Sequence, residues 1–149
     1  MRAPAVILVE DDPIDTELAQ RAIAKSGVEL ELLTFRDGQA ALDFLHGEAG
    51  KRIFVDGQRP TLMLLDLKMP RLDGLSVLKH LRARDRTRRM VAVMLTTSEE
   101  PSDVAACYDN GANGYIRKPI DFSKFVEVMR QIVHYWLVLN VPPPAVKGA

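Results

Sequence analysis

One cysteine, Cys107, is all the chain contains, so no internal disulfide framework can hold it together, and such sparing use fits a reducing compartment. Charge of one sign is not in excess either: twenty basic side chains balance twenty acidic ones. That balance gives no electrostatic footprint for nucleic acid or an anionic membrane. No segment approaches the roughly 20 apolar residues of a membrane span. The opening MRAPAVILVEDD holds five apolar residues before three acids, too few for a signal peptide. The expected location is therefore the cytosol. What is present is 149 residues, the size of one ordinary domain with its own core. A chain of this length buries roughly two thirds of its unfolded surface, without help from disulfides or a structural zinc.

Apolar periodicity organises the chain. Ala5 to Val9 reads as a β-branched strand ending at EDD. Ile14, Leu18 and Ala22, with Ala19 and Ile23 beside them, predict a helix near 13–25. Leu30 to Phe35 predicts a second strand, and DGQAALDFL a helix with Ala41, Phe44 and Leu45 inward. GEAGKRIFVDGQRP, from Gly47 to Pro60, carries three glycines and is expected to be an exposed loop. Thr61 to Leu65 is the third strand; Leu75, Leu78 and Leu81 mark the helix after it. Met90 to Leu95 reads as a strand covered on both faces. A helix over EEPSDVAACYDNGAN should stop at Gly111, and Tyr115-Ile116 belongs to a short fifth strand. Asp121 can cap a long helix whose buried stripe is Phe122, Phe125, Met129, Ile132 and Trp136.

Strand and helix alternate five times, which predicts an α/β fold: a parallel sheet with helices on both faces. In such sheets ligands gather beyond the carboxyl ends of the strands. Glu10, Asp11, Asp66, Thr96 and Lys118 all stand at strand ends, so residues distant in sequence should converge on one rim.

Three acids in a small volume repel, and each tends to hold a proton. A hard divalent cation removes that penalty, and magnesium suits a site of few carboxylates that also uses water and phosphate oxygens. Taken singly, Glu10-Asp11 could lie on a solvated turn, Asp66 could close a turn or cap a helix, and Thr96 could begin one. Phosphoryl transfer explains them together. Asp66 would attack phosphorus to form an acyl phosphate, with the Thr96 hydroxyl and Lys118 ammonium on the transferred oxygens.

The stretches ILVEDD, LLDLKMPRLDG, MLTTS and GANGYIRKP together resemble the receiver domain of two-component response regulators. Thr96 follows Asp66 by thirty positions and Lys118 follows it by fifty-two, the offsets of that family. The resemblance covers residues 5 to about 138 and leaves 139–149 as a flexible proline-rich tail. It implies a doubly wound, flavodoxin-like (βα)5 sandwich with strand order 2-1-3-4-5. It also implies that Asp66 is the phosphoacceptor for a phosphohistidine kinase. Asp11 becomes a direct magnesium ligand, Glu10 one acting through water, and the Lys68 backbone carbonyl a further ligand. Thr96 becomes the switch hydroxyl, Tyr115 the aromatic switch, and Lys118 the phosphate-binding lysine, followed by a cis bond to Pro119. Lys68 and Ser98 flank the phosphoryl group and tune water access. Two features depart from the minimal pattern: fifty-five positions separate Asp11 from Asp66, and Gly114 replaces a bulkier or more polar residue. The long middle segment and VHYWLVLN resemble a subgroup of stand-alone regulators paired with bacterial phytochrome kinases.

Val128, Tyr135 and Leu139 form a second apolar stripe on the last helix, which predicts a homodimer contact; the resemblance to the subgroup implies that the dimer uses the fourth and fifth strand-helix region. The exposed part of the first helix is the expected kinase-docking face. The basic run from Arg82 to Arg89 is broken by Ala83, Asp85 and Thr87 and reads as a solvated rim, with no nucleic-acid role. His46, His80 and His134 share no metal-like spacing, and Cys107 reads as a packing residue. The expected protein is a phosphorylatable regulator whose only chemistry is self-modification. A receiver-like binding module indifferent to phosphate is the alternative. A phosphatase of the aspartyl-phosphate type lacks its acid-base catalyst, because DLK has no second acid two residues after Asp66.

Overall fold

In a computed structural model, which describes residues 3–54, 61–144 and 146, five parallel strands form one sheet. They are β1 (Ala5–Val9), β2 (Glu31–Phe35), β3 (Thr61–Leu65), β4 (Val91–Thr96) and β5 (Gly114–Arg117). Their order is β2-β1-β3-β4-β5, as the resemblance implied. Val6 lies beside Leu32 on one side and Leu62 on the other, while Leu64 lies beside Val93 and Met94 beside Tyr115.

Side chains alternate across the sheet, so each central strand feeds two cores. Val6, Leu8, Leu62 and Leu64 pack against α1 (Pro13–Ala24) and α6 (Phe122–His134). Ile7, Val9, Met63 and Leu65 pack on the opposite face with α2 (Gly38–His46), α4 (Gly74–Ala83) and Cys107 of α5 (Pro101–Asp109). Burial on both faces is why β1 and β3 read as unbroken apolar runs.

Short acids start most of the helices. Asp12 accepts from the Ile14 N–H at 2.8 Å, Asp37 from Ala40 at 2.7 Å, Asp73 from Ser76 at 2.9 Å and Asp121 from Ser123 at 2.8 Å. Ile14, one of the apolar residues that mark this helix by their spacing, is itself 68% exposed. The buried face of α1 is centred on Ala19, Ala22 and Ile23, and at 100° per residue that face points away from Ile14.

The stretch expected as an open loop contains a short helix, α3 (Lys51–Phe54). Ile53 is buried there, and Arg52 pairs with both oxygens of Glu31 at 2.9 and 3.0 Å. A buried apolar anchor and a two-pronged ion pair give this stretch the order that its glycines alone would not. The rest of the expected loop, 55–60, lies outside the described residues.

The basic run is not simply a solvated rim. Arg82 turns inward and donates to the carbonyls of Met90 at 2.6 Å, Arg88 at 3.1 Å and Gly111 at 2.6 Å. Arg86 donates to the carbonyls of Leu45 at 3.0 Å and Gly47 at 2.9 Å, closing the carboxyl end of α2. Two of these arginines therefore satisfy backbone groups between elements.

At the end of α6 the chain widens into a π-helical turn (Tyr135–Leu139). The extra residue per turn hands the buried position to Leu137, with Val133 also buried, and leaves the expected Trp136 half-buried. Among the described residues no helix is long and apolar enough to cross a membrane.

Candidate functional site

β1, β3 and β5 each deliver a functional residue by continuing the ladder one step past the strand's end. The Glu10 N–H donates to the Phe35 carbonyl at 3.0 Å, Asp66 to Val9 at 3.1 Å and Lys118 to Thr96 at 2.7 Å. These bonds fix the first residue of each loop as firmly as the strand before it. The side chains then emerge together at the carboxyl rim of the sheet.

Gly74 shapes the acceptor loop. A Cβ there would stand 2.4 Å from the Asp66 carbonyl oxygen, so only glycine lets α4 begin against the acceptor's backbone. The Gly74 N–H donates to the Leu67 carbonyl at 2.9 Å, while Leu67 and Met69 are buried beneath the loop.

The carboxylates of Glu10, Asp11 and Asp66 each place an oxygen within 4.8 Å of the others. Glu10 is only 4% exposed. One of its oxygens accepts from the Asp12 N–H at 3.1 Å and the other from the Lys118 ammonium at 2.7 Å. Lys118 also reaches Asp15 at 3.3 Å. Burial pushes the Glu10 carboxyl up to about 7, against the opposing Lys118 bond and with help from the charge of Asp66. Asp66 is likewise raised by burial, partly offset by the charge of Lys118 and a hydrogen bond with Glu10. Burial pulls the Lys118 ammonium down, but its bond to Glu10 and the charge of Asp66 outweigh that and leave it raised.

The donor set fits a hard divalent cation. It consists of oxygen atoms alone, and burial, which raises the carboxyls of Glu10 and Asp66, marks charged forms that water does not fully solvate and a cation would stabilise.

Thr96 is buried at the end of β4, and its Oγ1 accepts from the Ser98 N–H at 3.4 Å. Tyr115 is half-buried against the core and donates its hydroxyl to the Ser98 carbonyl at 3.0 Å. Lys68 points its side chain outward, where the ammonium pairs with Asp103 at 3.3 Å. The bond between Lys118 and Pro119 is not cis, a correction to the family-based expectation, since no cis peptide occurs among the described residues. The Lys118 ammonium reaches Glu10 and Asp15 in the cleft with that bond trans.

All the sequence-selected strand-end residues thus meet at one rim. Two acids were missed: Asp15, which shares Lys118 with Glu10, and Asp103, which joins Lys68 to the Ser98 hydroxyl at 2.6 Å. Both lie in the first turn of a helix, where an acid is ordinarily read as a partner of the helix dipole.

Residues 6–130 match the family described as the response regulator receiver domain. Response regulator Rcp1 of Synechocystis is 34% identical over 140 residues, covering 94% of this chain and 93% of that protein. The structure of RcpA, a phosphorylated cyanobacterial phytochrome response regulator, is similar at a TM-score of 0.82 and 33% identity, covering 95% of this chain and 99% of RcpA. The bacteriophytochrome response regulator RtBRR is 40% identical with a TM-score of 0.70, covering 97% of this chain and 87% of RtBRR.

Proposed function

The chain belongs to the response regulator receiver family and works in two-component phosphorelay signalling, and from that premise we propose that Asp66 is its phosphoacceptor, charged by the phosphohistidine of a sensor kinase. A carboxylate oxygen of Asp66 attacks phosphorus, the phosphorus–nitrogen bond breaks, and the imidazole leaves with the bonding pair and takes up a proton. The product is an acyl phosphate, later lost to water. This is self-modification, with no turnover of a metabolite.

The observation that carries the reading is the meeting of three carboxylates within 4.8 Å beside a lysine 2.7 Å from one of them. Glu10, Asp11, Asp66 and the Lys68 carbonyl would hold Mg2+, which when bound neutralises charge on the phosphoryl oxygens. The Lys118 ammonium, now held by Glu10 and Asp15, exchanges onto a phosphoryl oxygen from the opposite side. The Thr96 hydroxyl takes another oxygen, and Tyr115 follows as the loop carrying Ser98 is drawn inward.

Kinship with RcpA and RtBRR supports a bacterial phytochrome as the kinase. A homodimer through the β4-α5 and β5-α6 region is supported by apolar side chains left in water. Tyr108 is 51% exposed, Tyr135 50%, Val138 54% and Leu139 63%. The testing experiment is phosphotransfer from histidine kinases in the presence of magnesium. Native chain should be labelled and Asp66→Asn should not; equal labelling of both rejects Asp66 as the acceptor. Sedimentation with and without an acyl-phosphate mimic tests the dimer, and a monomer at every concentration rejects it.

A further inference from the structure

A second hollow lies at the amino ends of the strands, the pole opposite the carboxylate cluster. Thr61 opens β3 and Val91 opens β4, each a full strand length, roughly 15 Å, from the rim that carries Asp66 and Thr96. The lining joins Ile53 and Phe54 of α3, Met90 and Val91, and the run Pro142–Pro144 that follows α6 and its π-helical turn. Ile53, Met90 and Val91 are buried in the fold, so these walls stand ready before any ligand arrives. The prolines fix their own φ angles, so the wall they form needs little further ordering. The space measures about 470 Å3, counting the part open to solvent at its mouth, within the roughly 300–1,000 Å3 of small-molecule sites.

The charge on this lining is of one sign. Arg86 and Arg89 line it, and among the described residues no carboxylate does. Arg86 is tethered through one guanidinium nitrogen, which donates to the carbonyls of Leu45 and Gly47 at 3.0 and 2.9 Å. Its other N–H groups meet no acceptor among the described residues, and the Arg89 side chain has neither an ion pair nor a hydrogen bond among them. The neighbouring acid Asp85 is engaged elsewhere, with Arg88 at 3.5 Å. Apolar walls alone would accept any nonpolar molecule. Two guanidinium groups without an acid beside them select an anion, and the planar donor fork of arginine matches a carboxylate.

We propose that this hollow binds a small amphipathic carboxylate, its apolar body against Ile53, Phe54, Met90 and Val91 and its charged end on Arg86 and Arg89. Burial of the body and pairing of the head are both needed: a bare anion gains nothing from the walls, and an apolar cation is repelled by the arginines. The hollow shares no residue with the carboxylate cluster at the other rim.

The test is NMR of the full chain, methyl-labelled at Ile, Met and Val, titrated with octanoate. The Ile53, Met90 and Val91 signals should move together and saturate, while Val9, at the far end of the sheet, stays in place. Acetate and octylammonium at the same concentrations should leave all of them unmoved. Arg89→Gln should weaken octanoate binding by about fivefold, the upper scale for an exposed ion pair, and Arg89→Glu should weaken it further. Unchanged Val9 signals show that both variants are folded. If octanoate moves none of the three signals in native chain, the site is wrong. If acetate or octylammonium moves them equally, or if the Arg89 variants bind octanoate as native chain does, the hollow does not recognise an amphipathic carboxylate and the proposal is overturned.

Discussion

Removing the titration of Glu10 should change how stability depends on pH, and the structure gives sign and size. The Glu10 carboxyl is buried and its ionisation is displaced from 4.5 to about 7. Folding therefore favours the protonated form. The stability this contributes is complete below 4.5 and is lost as pH rises through about 7. A displacement of that size corresponds to about 3 kcal/mol between the two ends of the window. For a domain of this length that moves the melting temperature by about 10 °C. Other groups titrate in the same range: burial and the nearby Arg84 and Arg86 lower His46, which works in the opposite sense. The informative quantity is thus the difference between native chain and Glu10→Gln, which holds the site neutral while retaining one oxygen for Lys118. In EDTA, native minus mutant Tm should fall by about 10 °C from pH 4.5 to pH 8. Saturating Mg2+ should restore most of that loss at pH 8 and change little at pH 5, because cation and proton compete for the same carboxylates. Circular dichroism melts across pH, with and without Mg2+, read this directly. A difference that stays flat, or a Mg2+ increment equal at both ends, would falsify the account of a buried carboxyl that holds its proton until a cation replaces it.

Asp66→Asn should stabilise the magnesium-free protein at pH 8, because burial raises that carboxyl too, and should abolish Mg2+-dependent labelling; destabilisation in EDTA would contradict this. Gly74→Ala should cost about 2 kcal/mol or more and slow phosphotransfer, since the new methyl meets the Asp66 carbonyl at 2.4 Å; urea unfolding and a labelling time course check both halves. Arg82→Met should cost about 2–3 kcal/mol by stranding the carbonyls of Met90 and Gly111, with labelling of Asp66 preserved at temperatures where the variant remains folded.

The central strands β1, β3 and β4 were legible because they are apolar on both faces, and a run such as LMLL at 62–65 has little alternative in an alternating β/α chain. Helix starts were legible where a short acid stands just before the first turn, as with Asp121. The spacing of Ile14, Leu18 and Ala22 marked α1 but not its inner face, because periodicity defines a face only to within a residue or two and the sheet chooses which edge it covers. α3 was missed because its order comes from Ile53 entering the core and Arg52 meeting Glu31, twenty-one residues earlier in the chain. The π-helical turn was missed because no local propensity announces it, although Leu137 within it is buried in the core.

Sequence by itself determined the alternation of elements and the acids, hydroxyl and lysine at strand ends, because both are written in local pattern and a strand's last residue has only one rim to occupy. Tertiary structure alone decided the partners: Lys118 between Glu10 and Asp15, Asp103 between Lys68 and Ser98, and Arg82 among the carbonyls of neighbouring loops. A long charged side chain can reach many acceptors, and which one it meets is set by how helices seat on the sheet, a property of the packed molecule and of no single stretch of its chain.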